Sequence, residues 1–205
     1  MILADNLNLV KKISLTVWCA LMLAILPGCS ASKEPEINAI TGLSMGTSYT
    51  VKWVSQDNSD YDHVANGVAA ELSRVESSMS TYMDVSDLSG FNGAAVNEWH
   101  KVPAEMASLV AQSLDLSEQT NGAFDITVGP LVNLWGFGPD PLPKNIPSQD
   151  ALDKLRSVVG YKFLQVQQQP PAMLKLADSA IDLSAIAKGY GVDAVARWLE
   201  LHELN

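Results

Sequence analysis

The sequence predicts an α+β domain, a mixed sheet with helices packed against it. Three observations lead there. Segments with alternating apolar residues are interspersed with segments whose apolar residues recur every three or four positions. They follow no regular strand–helix–strand rhythm of the kind a parallel sheet requires. The 205 residues, 47 % hydrophobic and 18 % charged, suffice for one core of ordinary globular composition. The net charge of −10 argues against a nucleic-acid partner, which needs a basic face.

Residues 1–28 stand apart from the domain. Lys11 and Lys12 form a short basic region, and residues 13–26 are apolar except for Ser14 and Thr16. The run has the length of a secretory signal and is short for a membrane span. It ends in "LPGCS", where Leu26, Gly28 and Cys29 match a bacterial lipobox and Pro27 is a less usual occupant. A plain secretory signal with an incidental cysteine is the alternative. The expectation is a lipoprotein signal over 1–28, lipid on Cys29, a polar tether over 29–39 and a folded domain over 40–205. That places the domain on the periplasmic side of a bacterial envelope. Ser30, where an inner-membrane lipoprotein commonly has Asp, leaves the choice of membrane open. Cys19 would leave with the signal, so no cysteine nucleophile or zinc–thiolate site is expected in the mature chain.

The elements follow in order. Residues 48–54, "SYTVKWV", alternate and are rich in β-formers, which predicts a strand, and "SQDNSD" reads as a polar turn. Val64, Val68, Leu72, Val75 and Met79 predict a helix over Tyr61 to Met79. "STYMDVSDLSGFNGA" has the Gly, Asn, Asp and Ser density of a loop. Pro103 at a first turn, apolar residues from Met106 to Leu116 and the stop "NG" predict a second helix over 103–120. "AFDITVGPLVNLWGFGPDPLP" is an apolar stretch broken by Gly and Pro. Ser148 as a cap opens a third helix to Val159. Residues 162–166 and 173–177 read as a strand pair with "QQQPPA" as a loose connector. Residues 180–183 read as a strand and 185–202 as a helix. A strand–helix unit normally runs on into a partner strand, so the 205 residues are expected to be the N-terminal portion of a longer domain.

Four stretches could carry chemistry, and each has a structural reading beside the functional one. In "IDLSAIAKGY" the N–H groups of a helix N-terminus and Lys188 favour an anion, Asp182 can accept from a base or ribose, and the carbonyl of Ala185 can ligate a hard cation. Otherwise it is a turn with Ser184 as cap and Lys188 in solvent. In "LSMGTSYTV" Met45 is a pliable contact for a flat ring, or Met45-Gly46 is a plain turn. In "SMSTYMDVSDLSGFN" Tyr82 could stack on an aromatic ligand, or the segment is a solvated loop. In "TNGAFDITVGPLVNLWGFG" Asp125 lies between Phe124 and Ile126. A carboxylate in such surroundings is paired or bound, or it caps the short helix that follows. His63, His100 and His202 have no partner motif for a triad, and there is no P-loop or dinucleotide GxGxxG.

Taken together and in order, "MGTSYTV", "MSTYMDVSDLSGFN", "TNGAFDITVGPLVNLWGFGP", "IPSQDAL" and "IDLSAIAKGYGVDAV" resemble the ApbE family of FAD:protein FMN transferases, from about Ile40 onward. The resemblance implies an α+β fold of that type, incomplete at its C-terminus. It implies FAD as substrate, Mg²⁺ as the usual metal, and transfer of FMN to a threonine hydroxyl of an acceptor such as a membrane redox subunit, with release of AMP. It places Met45, Tyr82, Ala123, Phe124, Asp125, Asp182 and Lys188 at FAD-contacting positions and Ala185 at a metal position through its carbonyl. The family's later carboxylate and Ser-His segments are not within these 205 residues, so the chain by itself is expected to be inactive or unstable. Two competing readings are a periplasmic FAD-binding lipoprotein without transfer activity and a remnant that binds nothing.

Overall fold

A computed structural model describes residues 36–55, 61–143 and 145–204. The expected signal segment, Cys29, the first part of the tether and residues 56–60 of the polar turn lie outside the described residues. The described elements are β1 (Glu36–Ser44), β2 (Thr47–Ser55), α1 (Tyr61–Met79), α2 (Asp87–Asn92), β3 (His100–Lys101), α3 (Ala104–Gln119), α4 (Gly129–Leu134), α5 (Gln149–Arg156), β4 (Leu164–Gln168), β5 (Pro171–Lys175) and α6 (Ser184–Leu201). Short 3₁₀ turns at Ile126–Val128 and Tyr161–Phe163 precede α4 and β4. The predicted α+β class holds. β1 begins at Glu36, within the stretch expected to be tether.

The sheets are small. β1 and β2 form an antiparallel hairpin in which Ser44 pairs with Thr47, so Met45 and Gly46 make up the whole turn. Both have positive φ, 49° and 70°, the left-handed pair that a two-residue hairpin turn needs. Gly46 adopts it freely; Met45 does so against its own Cβ. The second sheet has the order β3–β5–β4, all antiparallel. Gln168 pairs with Pro171, so the connector expected to be loose is a two-residue turn, Gln169-Pro170. Pro suits such a turn, and Pro171 takes the first position of its strand.

Two apolar clusters hold these parts together. The larger joins α1, α2, α3, β5 and α6 around Leu88, Met106, Val110, Met173 and Leu183, all fully buried. The smaller seats the hairpin on α1 and α6 through Ile40, Trp53, Val64, Val68 and Val195. α1 serves both because its apolar stripe runs its full length: Val64, Val68 and Leu72 face the hairpin, and Val75 and Met79 face the main core. On the outer side Arg74 of α1 pairs with Glu71 and with Glu105 of α3. Burial works to lower the Arg74 pKa, but those two carboxylates outweigh it and raise it, so the group stays charged.

Two expectations are corrected. Residues 180–183 form no strand; Ile181 and Leu183 are buried on either side of Asp182, but among the described residues no neighbouring strand pairs with them. The "SDLSGFN" part of the expected loop is α2, because the Ser86 hydroxyl accepts from the Ser89 amide and starts a helical turn, and Leu88 and Phe91 bury it. The short helix expected after Asp125 in its structural reading is present, as a 3₁₀ turn followed by α4 with Pro130 in its first turn.

Gly67 is where α1 meets α6. A Cβ there would run into the Trp198 ring, which is stacked on His202 at 4.0 Å and flanked by His63. Gly67→Ala would gain about 1 kcal/mol of helix propensity. It would also overpack a ring held on two sides, which costs about 1–3 kcal/mol. The net expectation is a lower midpoint in urea unfolding, despite the better helix former.

Candidate functional site

A cleft of about 530 Å³ opens where the hairpin turn, the end of α1, the loop after it and the start of α6 converge. Met45, Tyr82, Asp182 and Lys188, four of the residues expected to hold a flavin nucleotide, line it together. They come from three separate stretches of chain.

Met45 is placed by the strained turn. Its side chain touches both apolar clusters and reaches over α6 at Gly191, where a Cβ would come within 2.9 Å of Met45 Cε. A non-glycine residue in left-handed backbone persists only where its surroundings over-determine it. Here the packing of the thioether on α6 does so, and it presents an adaptable apolar surface to the cleft.

Tyr82 stands on the loop between α1 and α2. Its side of the loop is tied down by Ser86, whose hydroxyl donates to the Ser80 carbonyl at 2.6 Å. Tyr82 is 63 % exposed, and its hydroxyl donates across the cleft mouth to the carbonyl of Phe137 at 2.8 Å. The ring thus forms part of the rim.

Asp182 and Lys188 belong to the start of α6. Leu183 holds the cap position without a side-chain bond. The cap is supplied one residue earlier, because Asp182 Oδ1 accepts from the Ser184 amide at 2.7 Å. The structural reading with Ser184 as cap is therefore corrected: Ser184 is in the first turn and lines the cleft. Lys188 is exposed and, among the described residues, has no ion-pair partner. A helix start with a nearby ammonium attracts phosphate, and a carboxylate beside it accepts from hydroxyl or N–H groups.

The Ala123–Phe124–Asp125 run does not line this cleft. Phe124 packs on the main core. Asp125 Oδ1 accepts from the amide and hydroxyl of Thr127, and Oδ2 accepts from the Tyr161 amide at 2.8 Å. The carboxylate therefore caps the 3₁₀ turn and ties it to the segment before β4. The residue after the run reaches the site through its backbone, since the Asp182 amide donates to the Ile126 carbonyl.

Ala185 is exposed in the first turn of α6, where helix geometry commits its carbonyl to the amide four residues on. Among the described residues no three His, Cys, Asp or Glu side chains converge on a point. A hard cation takes six or more oxygen ligands for Ca²⁺ and near-octahedral geometry for Mg²⁺. The residues present do not by themselves build such a site. Glu76 is a cleft residue that sequence reasoning missed, although it lies three positions before Met79 on a helix whose face was legible. Its carboxylate accepts from the Ser44 hydroxyl at 3.5 Å. No helix among the described residues is long and apolar enough to cross a membrane.

Comparison with known proteins bears on this arrangement. The ApbE family model matches residues 45–205, beginning at the turn methionine. The FAD:protein FMN transferase of Vibrio cholerae is 36 % identical over 179 residues, which cover 87 % of this chain and 53 % of that protein. That of Escherichia coli K12 is 34 % identical, covering 84 % and 52 %. The solved flavin transferase ApbE from Vibrio cholerae superposes with a TM-score of 0.79 at 35 % identity, over 83 % of this chain and 55 % of that one. The apo flavinyl transferase ApbE of Pseudomonas stutzeri gives 0.77 at 33 %, over 83 % and 57 %. The chain thus spans about half the length of the relatives it matches. With a family model covering most of its residues, and with that fold shared at about one-third identity, the chain belongs to the ApbE family.

Proposed function

We propose that the cleft binds FAD and that the chain is part of an FAD:protein FMN transferase. The observation that carries the reading is the convergence of Met45, Tyr82, Asp182 and Lys188 on one cavity of ring-system size. The names of the relatives support it.

In the proposed reaction the oxygen of an acceptor threonine attacks the FMN phosphorus of FAD. A new P–O bond forms, the bridging P–O bond to the AMP half breaks and its electron pair stays on the AMP phosphate, the hydroxyl proton passes to solvent, and AMP leaves. Such a reaction rests on positioning and on neutralising charge. Met45 and the Tyr82 ring would sandwich or flank the isoalloxazine. Lys188 and the α6 N-terminus would meet the diphosphate charge. Asp182 would accept from the flavin or ribityl side and orient the cofactor, with no role as a base. Mg²⁺ is the expected metal, and the Ala185 carbonyl would be one of its ligands; the described residues offer no further ligand set.

The acceptor is proposed to be a membrane redox subunit or another flavin-carrying extracytoplasmic protein. The chain is proposed to reach it from a lipid anchor on Cys29 on the periplasmic side of the envelope. Loss of fatty-acid label in Cys29→Ala would support that; retained label would sink it.

Covalent, equimolar FMN on a threonine peptide incubated with protein, FAD and Mg²⁺ is the direct test of transfer. FAD binding without labelled threonine would favour the storage reading, and no change in flavin fluorescence with folded protein would favour the remnant. The two aspartates should separate. Asp182→Ala is expected to weaken FAD binding about tenfold, one hydrogen bond to a charged group. Asp125→Ala removes the acceptor of three internal donors and should lower unfolding free energy by about 2 kcal/mol. Its affinity measured well below the midpoint should change less than that of Asp182→Ala. The reverse ranking would move the binding role to Asp125.

A further inference from the structure

We infer that Asn92 and Lys175, neither of which lines the cleft, are positioning residues that set Asp182 and the start of α6 in place for the flavin nucleotide. The inference rests on the proposed FAD site and adds what holds it.

The segment before α6 carries its backbone through the core with no strand of the described residues beside it. Ile181 is buried, so its N–H and C=O need partners. The side chain of Asn92, the last residue of α2, supplies both. Asn92 Oδ1 accepts from the Ile181 amide at 2.8 Å, and Asn92 Nδ2 donates to the Ile181 carbonyl at 3.0 Å. An amide side chain is the one short group with a donor and an acceptor side by side, and it imitates a neighbouring strand for a single residue. The next amide, of Asp182, donates to the Ile126 carbonyl at 2.8 Å. Asp182 is therefore held at its own backbone and at that of the residue before it. Its carboxylate then has the Ser184 amide within reach, and the helix starts there.

Asn92 is fixed in turn by Lys175. This lysine lies on the central strand β5 and is 3 % exposed. Its ammonium donates to the Asn92 carbonyl at 2.6 Å and to the Ser179 carbonyl at 3.4 Å, with Asp178 Oδ1 at 3.7 Å. A buried ammonium is costly unless its donors are used. Here they join the end of α2 to the segment that leads into Ile181 and Asp182. A residue needed only for packing would be served better by Leu or Met. The chain from Lys175 through Asn92 and Ile181 to Asp182 is continuous in hydrogen and covalent bonds.

The test uses the full chain with FAD as probe, by fluorescence titration well below the unfolding midpoint. Asn92→Ala is expected to raise the FAD Kd about tenfold, and Lys175→Met to raise it by less. Asn92→Asp keeps the acceptor for the Ile181 amide and should retain more affinity than Asn92→Ala. If Asn92 acts through Asp182, the double variant Asn92→Ala/Asp182→Ala should bind no worse than Asp182→Ala alone, whereas independent roles would add. Amide hydrogen exchange at Asp182 and Ser184 should quicken in Asn92→Ala without ligand. Parent-like affinity in a folded Asn92→Ala, or losses that add in the double variant, would overturn the inference. If the parent binds no FAD, the functional reading fails, and exchange decides the positioning role: quickened at Asp182 and Ser184 it stands, unchanged it falls.

Discussion

Everything at the cleft depends on how the backbone from Ala180 to Ser184 is satisfied inside the core. Ile181 and Leu183 are driven inward by their side chains, and the polar groups between them go with them. Among the described residues no strand lies alongside. An asparagine side chain, the Ile126 carbonyl and the Asp182 carboxylate replace the missing neighbour. The result is a helix that begins at the wall of a cavity, with a carboxylate and a first-turn serine presented to it. A strand at this position would have paired its backbone with a sheet and turned Asp182 into one residue of a ladder.

The other wall is made by strain and by close approach. Met45 stays in left-handed backbone because the hairpin turn has only two residues and because its thioether packs where Gly191 leaves room. The same approach of α1 to α6 at Gly67 fixes the distance between the helix that carries Glu76 and Met79 and the helix that carries Lys188. The cleft sits at the seam between the two apolar clusters, where side chains from each meet at Met45. Pockets form readily at such seams, because the two cores are packed separately and their junction is filled by ligand or solvent.

Much of the fold was legible before the structure. The apolar stripe of α1 runs from Val64 to Met79 and gave both helix ends, because a long amphipathic period leaves little ambiguity. Ser148 was read as a cap and does accept from the Ala151 amide. The elements left unread are the nine-residue β1, the two-residue β3 and the short helix α2. α2 and α4 have six residues each, too few for a period to show, and are stabilised by one serine cap and by packing. Residues 180–183 show the opposite failure. Alternating burial was there, as a strand would have it, but alternation reports which side chains face the core and not what the backbone binds.

The sequence by itself determined the class of fold, the helices long enough to declare their period, and the family, because these depend on local pattern and on ordered motifs. It also named Met45, Tyr82, Asp182 and Lys188. Only the tertiary structure decided that these four share one cavity, that Asp125 spends both carboxylate oxygens on Thr127 and Tyr161, and that Asn92 stands in for a strand. The reason is sequence distance: Asn92 and Ile181 are 89 residues apart, and which donor meets which acceptor across such a gap is set by the packing of the whole core and by no local pattern.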